Sequence, residues 1–260
     1  MSLPALHELR RLFTSAEITL VAPPGTADIF IDADFADDVL EAGRGVSEVL
    51  KNAREWKARR FDLAVLLQNA FAAAMTAFLA RVPVRVGYDT DHRGALLTMP
   101  LPLPGWRHER HESFYYLNIV AELERSAFGA SSSAPAAPRF DLRVSEERQK
   151  AARRILKQAG VERGKALAVL CPGSVNSRAK RWPAERYAVL ADQLMASGIN
   201  VVLIGSPAEL GVTSELMTKV KGQPIALTGK TTVGQATAII STTSKLPRPN
   251  ARSESPWRST

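Results

Sequence analysis

Between Cys171 and Tyr187 the chain reads CPGSVNSRAKRWPAERY. The apolar run ALAVL (166–170) enters a Pro172-Gly173 turn. Short polar residues follow (Ser174, Asn176, Ser177), then Arg178, Lys180 and Arg181, then a helix opening on Pro183. A strand end followed by a helix start exposes unpaired backbone N–H groups and the positive end of a helix dipole. That geometry binds anions such as phosphate. Gly173 permits the tight turn, Ser174 offers a short hydrogen-bonding group, Lys180 a point charge and Arg181 a bidentate fork. The stretch is neither the phosphate loop G-x-x-x-x-G-K-[ST] nor the dinucleotide G-x-G-x-x-G. From spacing alone a solvated basic turn, with Trp182 packed on the sheet edge, is an equally good reading.

Two further loops repeat the arrangement. GSPAEL (205–210) follows the strand NVVLIG, and Ser206, Pro207 and Glu209 make a capping box with proline at the first helical position. Capping alone accounts for these residues; the functional alternative sets Glu209 beside a ribose or sugar hydroxyl. TGKTTVGQ (228–235) carries a second box, Thr232 with Gln235, after a Gly-Lys turn. Lys230 and Thr231 are placed to meet phosphate, or simply to lead into the cap. All three loops leave strands at the same end, and two of them carry lysine.

The first half of the chain has its own polar strand ends. Gln68 and Asn69 follow DLAVLL, and Tyr88, Asp89, Asp91, His92 and Arg93 share one loop. That loop suits an acceptor with anionic groups, or is an ordinary polar connection. His7, His108 and His111 have no ligand spacing, so no metal site is expected. Cys171 is the only cysteine, so no disulfide forms within the chain and a reducing compartment fits.

The elements that must hold these loops follow from periodicity. Leu3, Leu6, Leu9 and Leu12 mark an opening helix. Strands are expected at 17–23, 37–42, 62–67 and 84–88, and helices at 46–60 (with Ser47 as a candidate cap), 70–82 and 111–125. Residues 126–144, rich in Ser, Ala and Pro at their start, read as a linker. Beyond it come a helix (145–159), strand (166–170), helix (183–197), strand (200–205), helix (207–220), strand (224–227) and helix (232–241). Alternating strands and helices predict two Rossmann-like, doubly wound α/β domains, at 1–125 and 145–241. The Ser/Thr/Pro/Arg-rich tail 242–260 is expected to be disordered.

The 260 residues are 45% hydrophobic and 23% charged, with a net charge of +8. Four cations of the last twenty residues face one acid, Glu254, so the body is only mildly basic. It suits an anionic ligand or membrane surface. No aromatic-interleaved basic stripe and no zinc spacing points to nucleic acid. The amino terminus does not read as a signal peptide, and no apolar run approaches the ~18 residues of a membrane span.

AVLCPGSVNSRAKRWPAERYAVLADQL resembles the ADP-heptose-binding segment of bacterial lipopolysaccharide heptosyltransferases, glycosyltransferase family 9, and most of all the type II enzymes. FDLAVLLQNAF, ARVPVRVGYDTDHRGALLT, NVVLIGSPAE and LTGKTTVGQATAIIS agree in order, so the resemblance covers about residues 1–241. It implies a two-domain GT-B enzyme that inverts configuration without a bound metal or cofactor. ADP-heptose would be the donor and the phosphate- and Kdo-bearing lipopolysaccharide inner core the acceptor. The location would be cytoplasmic, with peripheral contact at the inner membrane left open. On this resemblance Ser174 and Lys180 match diphosphate-binding residues, and Glu209 falls near a ribose-contacting acid.

Two family features find no match. The strand and Gly-Asp loop carrying the proposed general base would precede Met1, and an Asp-Ser/Thr-Gly-x-x-His motif would follow Ser241. Both domains therefore read as incomplete, and weak or absent transfer is expected. A base is typically worth about 10²–10⁴-fold; each key donor to the leaving group is worth about 3–4 kcal/mol. A non-catalytic nucleotide-sugar binder and another GT-B enzyme, such as a sugar-nucleotide epimerase, are the alternatives.

Overall fold

The computed structural model describes residues 1–43, 45–133, 138–174 and 181–243. The chain divides into two compact units, one spanning Met1–Arg143 and the other beginning at Val144.

The first unit runs α1 (Leu3–Leu12), β1 (Thr19–Ala22), β2 (Asp38–Glu41), α2 (Val46–Arg59), β3 (Leu63–Val65), α3 (Phe71–Leu79), β4 (Val84–Tyr88), β5 (Met99–Leu101) and α4 (Glu112–Phe128). β1 pairs with β2, and β3-β4-β5 form a second sheet, all parallel. Alternation along the strands divides the core, as pleating requires. Val86 and Tyr88 of β4 pack with Leu6 and Leu9 of α1 and Tyr115, Ile119 and Leu123 of α4. Leu66, beyond β3, and Val82 pack with Ala53 of α2 and Ala74 and Ala77 of α3.

Two expectations change here. The cap of α2 is Gly45, at φ +112°, and Ser47 lies inside the first turn. A chain that must turn through positive φ takes glycine, whatever hydroxyl stands two residues on. β5 is a strand that periodicity does not announce, because it is only Met-Pro-Leu. Proline is tolerated there because β5 is the sheet's edge.

The segment read as a linker starts as part of the first unit. α4 continues to Phe128 and ends on Gly129, at φ +78°. Ser131, Ser132 and Ser133 then close on the Glu124 carboxylate. Ser131 Oγ donates at 2.7 Å, the Ser132 and Ser133 N–H groups at 2.9 and 3.0 Å, and Ser133 Oγ at 2.6 Å. Arg11 of α1 reaches the other carboxylate oxygen at 3.1 Å. Leu142 packs on the same core, and the Asp141 carbonyl bonds His7 Nε2 at 2.8 Å.

The second unit runs α5 (Glu146–Gln158), β6 (Leu167–Leu170), α6 (Ala184–Ala196), β7 (Asn200–Leu203), α7 (Leu210–Lys219), β8 (Ile225–Ala226) and α8 (Val233–Ser241). Its sheet is parallel, in the order β6-β7-β8. Val201 and Leu203 of the central strand face Ala184 and Ala191 of α6 and Leu216 of α7. Val202 and Ile204 face Leu156 of α5 and Ile239 of α8. Helices thus cover both faces, which is why these strands read as continuous apolar runs. The tail beyond 243 lies outside the described residues.

Candidate active site

The carboxyl ends of β6, β7 and β8 bring three loops together, at the sheet edge where open α/β folds bind ligands. The first holds Cys171, Pro172, Gly173 and Ser174. Residues 175–180, Lys180 among them, lie outside the described residues. Arg181 closes the loop: its Nε and Nη2 donate to the Ser174 carbonyl at 3.0 and 2.7 Å. The fork read as an anion clamp is therefore engaged with the loop's own backbone. Trp182 is exposed and meets Tyr187 edge-on at 5.0 Å, while Tyr187 Oη donates to the Cys171 carbonyl at 3.3 Å.

The second loop supplies Gly205, Ser206 and Glu209. The Glu209 carboxylate is buried, and its Oε2 accepts from the Ser206 N–H at 2.7 Å and from Ser206 Oγ at 2.9 Å. The capping box is thus formed, over the 3-10 turn Pro207–Glu209 that leads into α7. Glu209 also fills the space between two glycines. A Cβ on Gly173 would fall 2.1 Å from its Oε1, and one on Gly205 would fall 3.0 Å from its Oε2. Gly205 escapes a reading based on motifs; the only signal for it is a glycine between a strand and a capping box.

The third loop is tied to the second. The Gly229 N–H donates to the Gly205 carbonyl at 2.8 Å, and the hydroxyls of Thr228 and Thr213 bond each other, buried, at 2.8 Å. Lys230 is exposed, with its Nζ 3.2 Å from the Ala226 carbonyl. Thr231 is half-buried at the mouth of α8, whose cap is complete: the Thr232 N–H donates to Gln235 Oε1 and the Gln235 N–H to Thr232 Oγ1.

The edge thus gathers Gly173, Ser174, Arg181, Glu209, Lys230 and Thr231. A buried carboxylate sits beneath the first loop, and an exposed lysine stands on the third. Such an arrangement can accept from hydroxyls at Glu209 and neutralise an anion at the lysine. Cys171 adds no nucleophile: desolvation and the nearby Glu209 charge push its thiol pKa up, away from the reactive thiolate.

In the first unit the polar loop after β4 is built differently from its reading. Arg93 is fully buried. Its Nε donates to the Tyr88 carbonyl at 2.9 Å, its Nη2 to Asn69 Oδ1 at 3.2 Å, and its Nη1 to the Gln68 carbonyl. Burial lowers its pKa, but a guanidinium stays charged, so it acts as an internal strut. Tyr88 is buried too, donating to the Tyr115 carbonyl at 2.8 Å. What the loop exposes is Asp89, Asp91 and His92, the last two at φ +52° and +55°. Arg93 therefore reads no anionic acceptor. His111 caps α4, accepting from the Ser113 N–H. Among the described residues no three His, Cys, Asp or Glu side chains gather as metal ligands do.

The fold is that of two parallel α/β units, with a candidate ligand site at the strand ends of the second. The family model described as glycosyltransferase family 9 (heptosyltransferase) matches residues 49–245, and the chain belongs to that family. Lipopolysaccharide heptosyltransferase 2 of Salmonella typhimurium is 26% identical over 92% of this chain and 70% of its own length. Two solved structures share the fold, each with a TM-score of 0.78. The family 9 glycosyl transferase of Veillonella parvula is 22% identical over 92% of this chain and 68% of its own. The ADP-heptose lipopolysaccharide heptosyltransferase II of Escherichia coli is 23% identical over 92% and 71%. The architecture is thus the GT-B type that the family resemblance implies.

Proposed function

We propose that this chain carries the donor and acceptor units of an inverting heptosyltransferase of the type II kind. The donor is ADP-heptose and the acceptor the heptosylated inner core of lipopolysaccharide. Family membership across 49–245 carries the reading, and the carboxyl edge of the second unit supplies matching chemistry. On this reading Ser174 and Lys180 contact the diphosphate, Arg181 braces their loop through the Ser174 carbonyl, and Lys230 and Thr231 contribute from the third loop. Glu209 accepts from the ribose through Oε1, for which Gly173, lacking a Cβ, leaves the space. The first unit takes the acceptor. In the transfer an acceptor hydroxyl oxygen bonds the anomeric carbon, the bond to ADP breaks, and the acceptor proton leaves to a base. No residue of this chain is assigned as that base, and no metal or cofactor enters the scheme. The reaction belongs at the cytoplasmic face of the inner membrane, where lipid-anchored acceptor and soluble donor meet. No helix among the described residues is long and apolar enough to cross a bilayer.

Calorimetric titration tests this. ADP-heptose is expected to bind at one site, with ADP competing. Lys180→Ala is expected to weaken binding about tenfold or more, as loss of a charge-assisted contact does. No binding, or equal affinity for a uridine diphosphate sugar, overturns the reading.

A further inference from the structure

α3 is an unusual surface helix. FAAAMTAFL holds no charged residue. Its inner face, Ala74 and Ala77, is fully buried. Its outer face should be polar but carries Phe71, Phe78 and Leu79, which are 44%, 44% and 40% exposed. Positions 71, 78 and 79 fall at i, i+7 and i+8, one stripe of a helix.

The end of the stripe opens into a groove of about 560 Å³, floored by Phe78, Leu79 and the Val82-Pro83 turn. Its rim is Lys57, Arg81 and Arg85, and no carboxylate lines it. The Arg85 guanidinium lies over the Phe78 ring at 5.6 Å. A partner protein would be held by about one hydrogen bond per 100–200 Å². The stripe offers none, because the one hydroxyl of α3, on Thr76, is buried and spent on the Ala72 carbonyl at 2.8 Å. An apolar face bordered by charge of a single sign matches the boundary between acyl chains and anionic headgroups.

We infer that the α3 stripe, with Lys57 and Arg81, docks this protein on an anionic phospholipid surface, while Arg85, whose Nε and Nη1 donate to the Leu96 and Val82 carbonyls, braces the groove. The groove leads into the amino end of β4, so the basic contacts lie at the sheet edge away from the exposed Asp89 and Asp91. The inference rests on exposure and charge, and stands separately from the donor reading.

Co-sedimentation of the full chain with vesicles tests it. Vesicles of phosphatidylglycerol and phosphatidylethanolamine are expected to carry the protein down, phosphatidylcholine vesicles are not, and added salt should release it. Phe78→Ser with Leu79→Ser should abolish binding. Lys57→Glu with Arg81→Glu should weaken it at least about tenfold. Unchanged circular dichroism and ADP-heptose titration in both variants show that fold and donor site are intact. Absence of binding to the anionic vesicles, equal binding to phosphatidylcholine, or full binding by either variant overturns the inference. So does a dimer in sedimentation that Phe78→Ser with Leu79→Ser dissolves, since a second copy would then cover the stripe.

Discussion

The backbone at Gly173 lies against the carboxylate of Glu209, so close that a Cβ there would fall 2.1 Å from Oε1 and 2.3 Å from the carboxyl carbon. The carboxylate has little freedom to retreat, because its other oxygen is held by the N–H and hydroxyl of Ser206. One contact thereby locks the loops leaving β6 and β7.

Gly173→Ala should accordingly destabilise the protein by about 1–3 kcal/mol, the usual cost of overpacking a buried contact. Combining it with Glu209→Ala should recover part of that loss, with a coupling of about 0.5–3 kcal/mol in a urea-denaturation cycle. Strictly additive effects would refute the contact.

The buried Thr213–Thr228 hydroxyl pair ties the loop after β8 to α7. Thr228→Val alone leaves one hydroxyl unsatisfied and should cost about 1–3 kcal/mol. The double change, Thr213→Val with Thr228→Val, should come back close to the parent stability. A double variant as unstable as the sum of the singles would show that the hydroxyls do more than satisfy one another.

Glu124 makes stability depend on pH. Burial by itself would raise its pKa, but hydrogen bonds from Ser133, Ser131, Arg11 and the Ser132 N–H outweigh that and hold it at about 2, below its ordinary 4.5. A carboxyl whose folded pKa is depressed contributes stability that is complete above the unfolded value and is lost as pH falls through the folded one. Glu124→Gln should therefore lower the melting temperature at pH 7 by several degrees. The gap should narrow as pH falls from about 5 towards 2. A gap independent of pH would mean that the ionised carboxylate is not what the serines hold.

Arg93 should prove irreplaceable by lysine. Its fork spans Tyr88, Gln68 and Asn69, and an ammonium cannot reach three partners in that geometry. Arg93→Lys is expected to cost about 2 kcal/mol or more by denaturant titration, since buried acceptors are left unmet. Protease sensitivity should rise within 88–94, where Asp91 and His92 hold left-handed backbone. A variant as stable as the parent would return Arg93 to an ordinary polar role.

Local residue pattern sets the alternation of elements and the positions of the loops. Apolar runs such as LAVL and NVVL, followed by Pro-Gly or a capping box, carry their own instructions. A strand covered on both faces must be apolar throughout, and a helix start must satisfy its own N–H groups. Glu209 was legible for that reason, as the third residue of a box. What the loops do to one another depends on how the folded chain packs them. Gly173 meets Glu209 because parallel strands set β6 beside β7. Arg93 turns inward because the Tyr88 carbonyl of its own loop and the distant Gln68 carbonyl and Asn69 amide surround it. The serines at 131–133 read as linker composition until Glu124 and Arg11 give them partners. Arg181 folds back on Ser174 rather than standing free. Gly173 with Glu209 and Arg93 with Gln68 and Asn69 join residues far apart in the chain, while Arg181 with Ser174 and the serines with Glu124 close loops of seven to nine residues, and helical periodicity and capping offsets hold no information about either kind of contact.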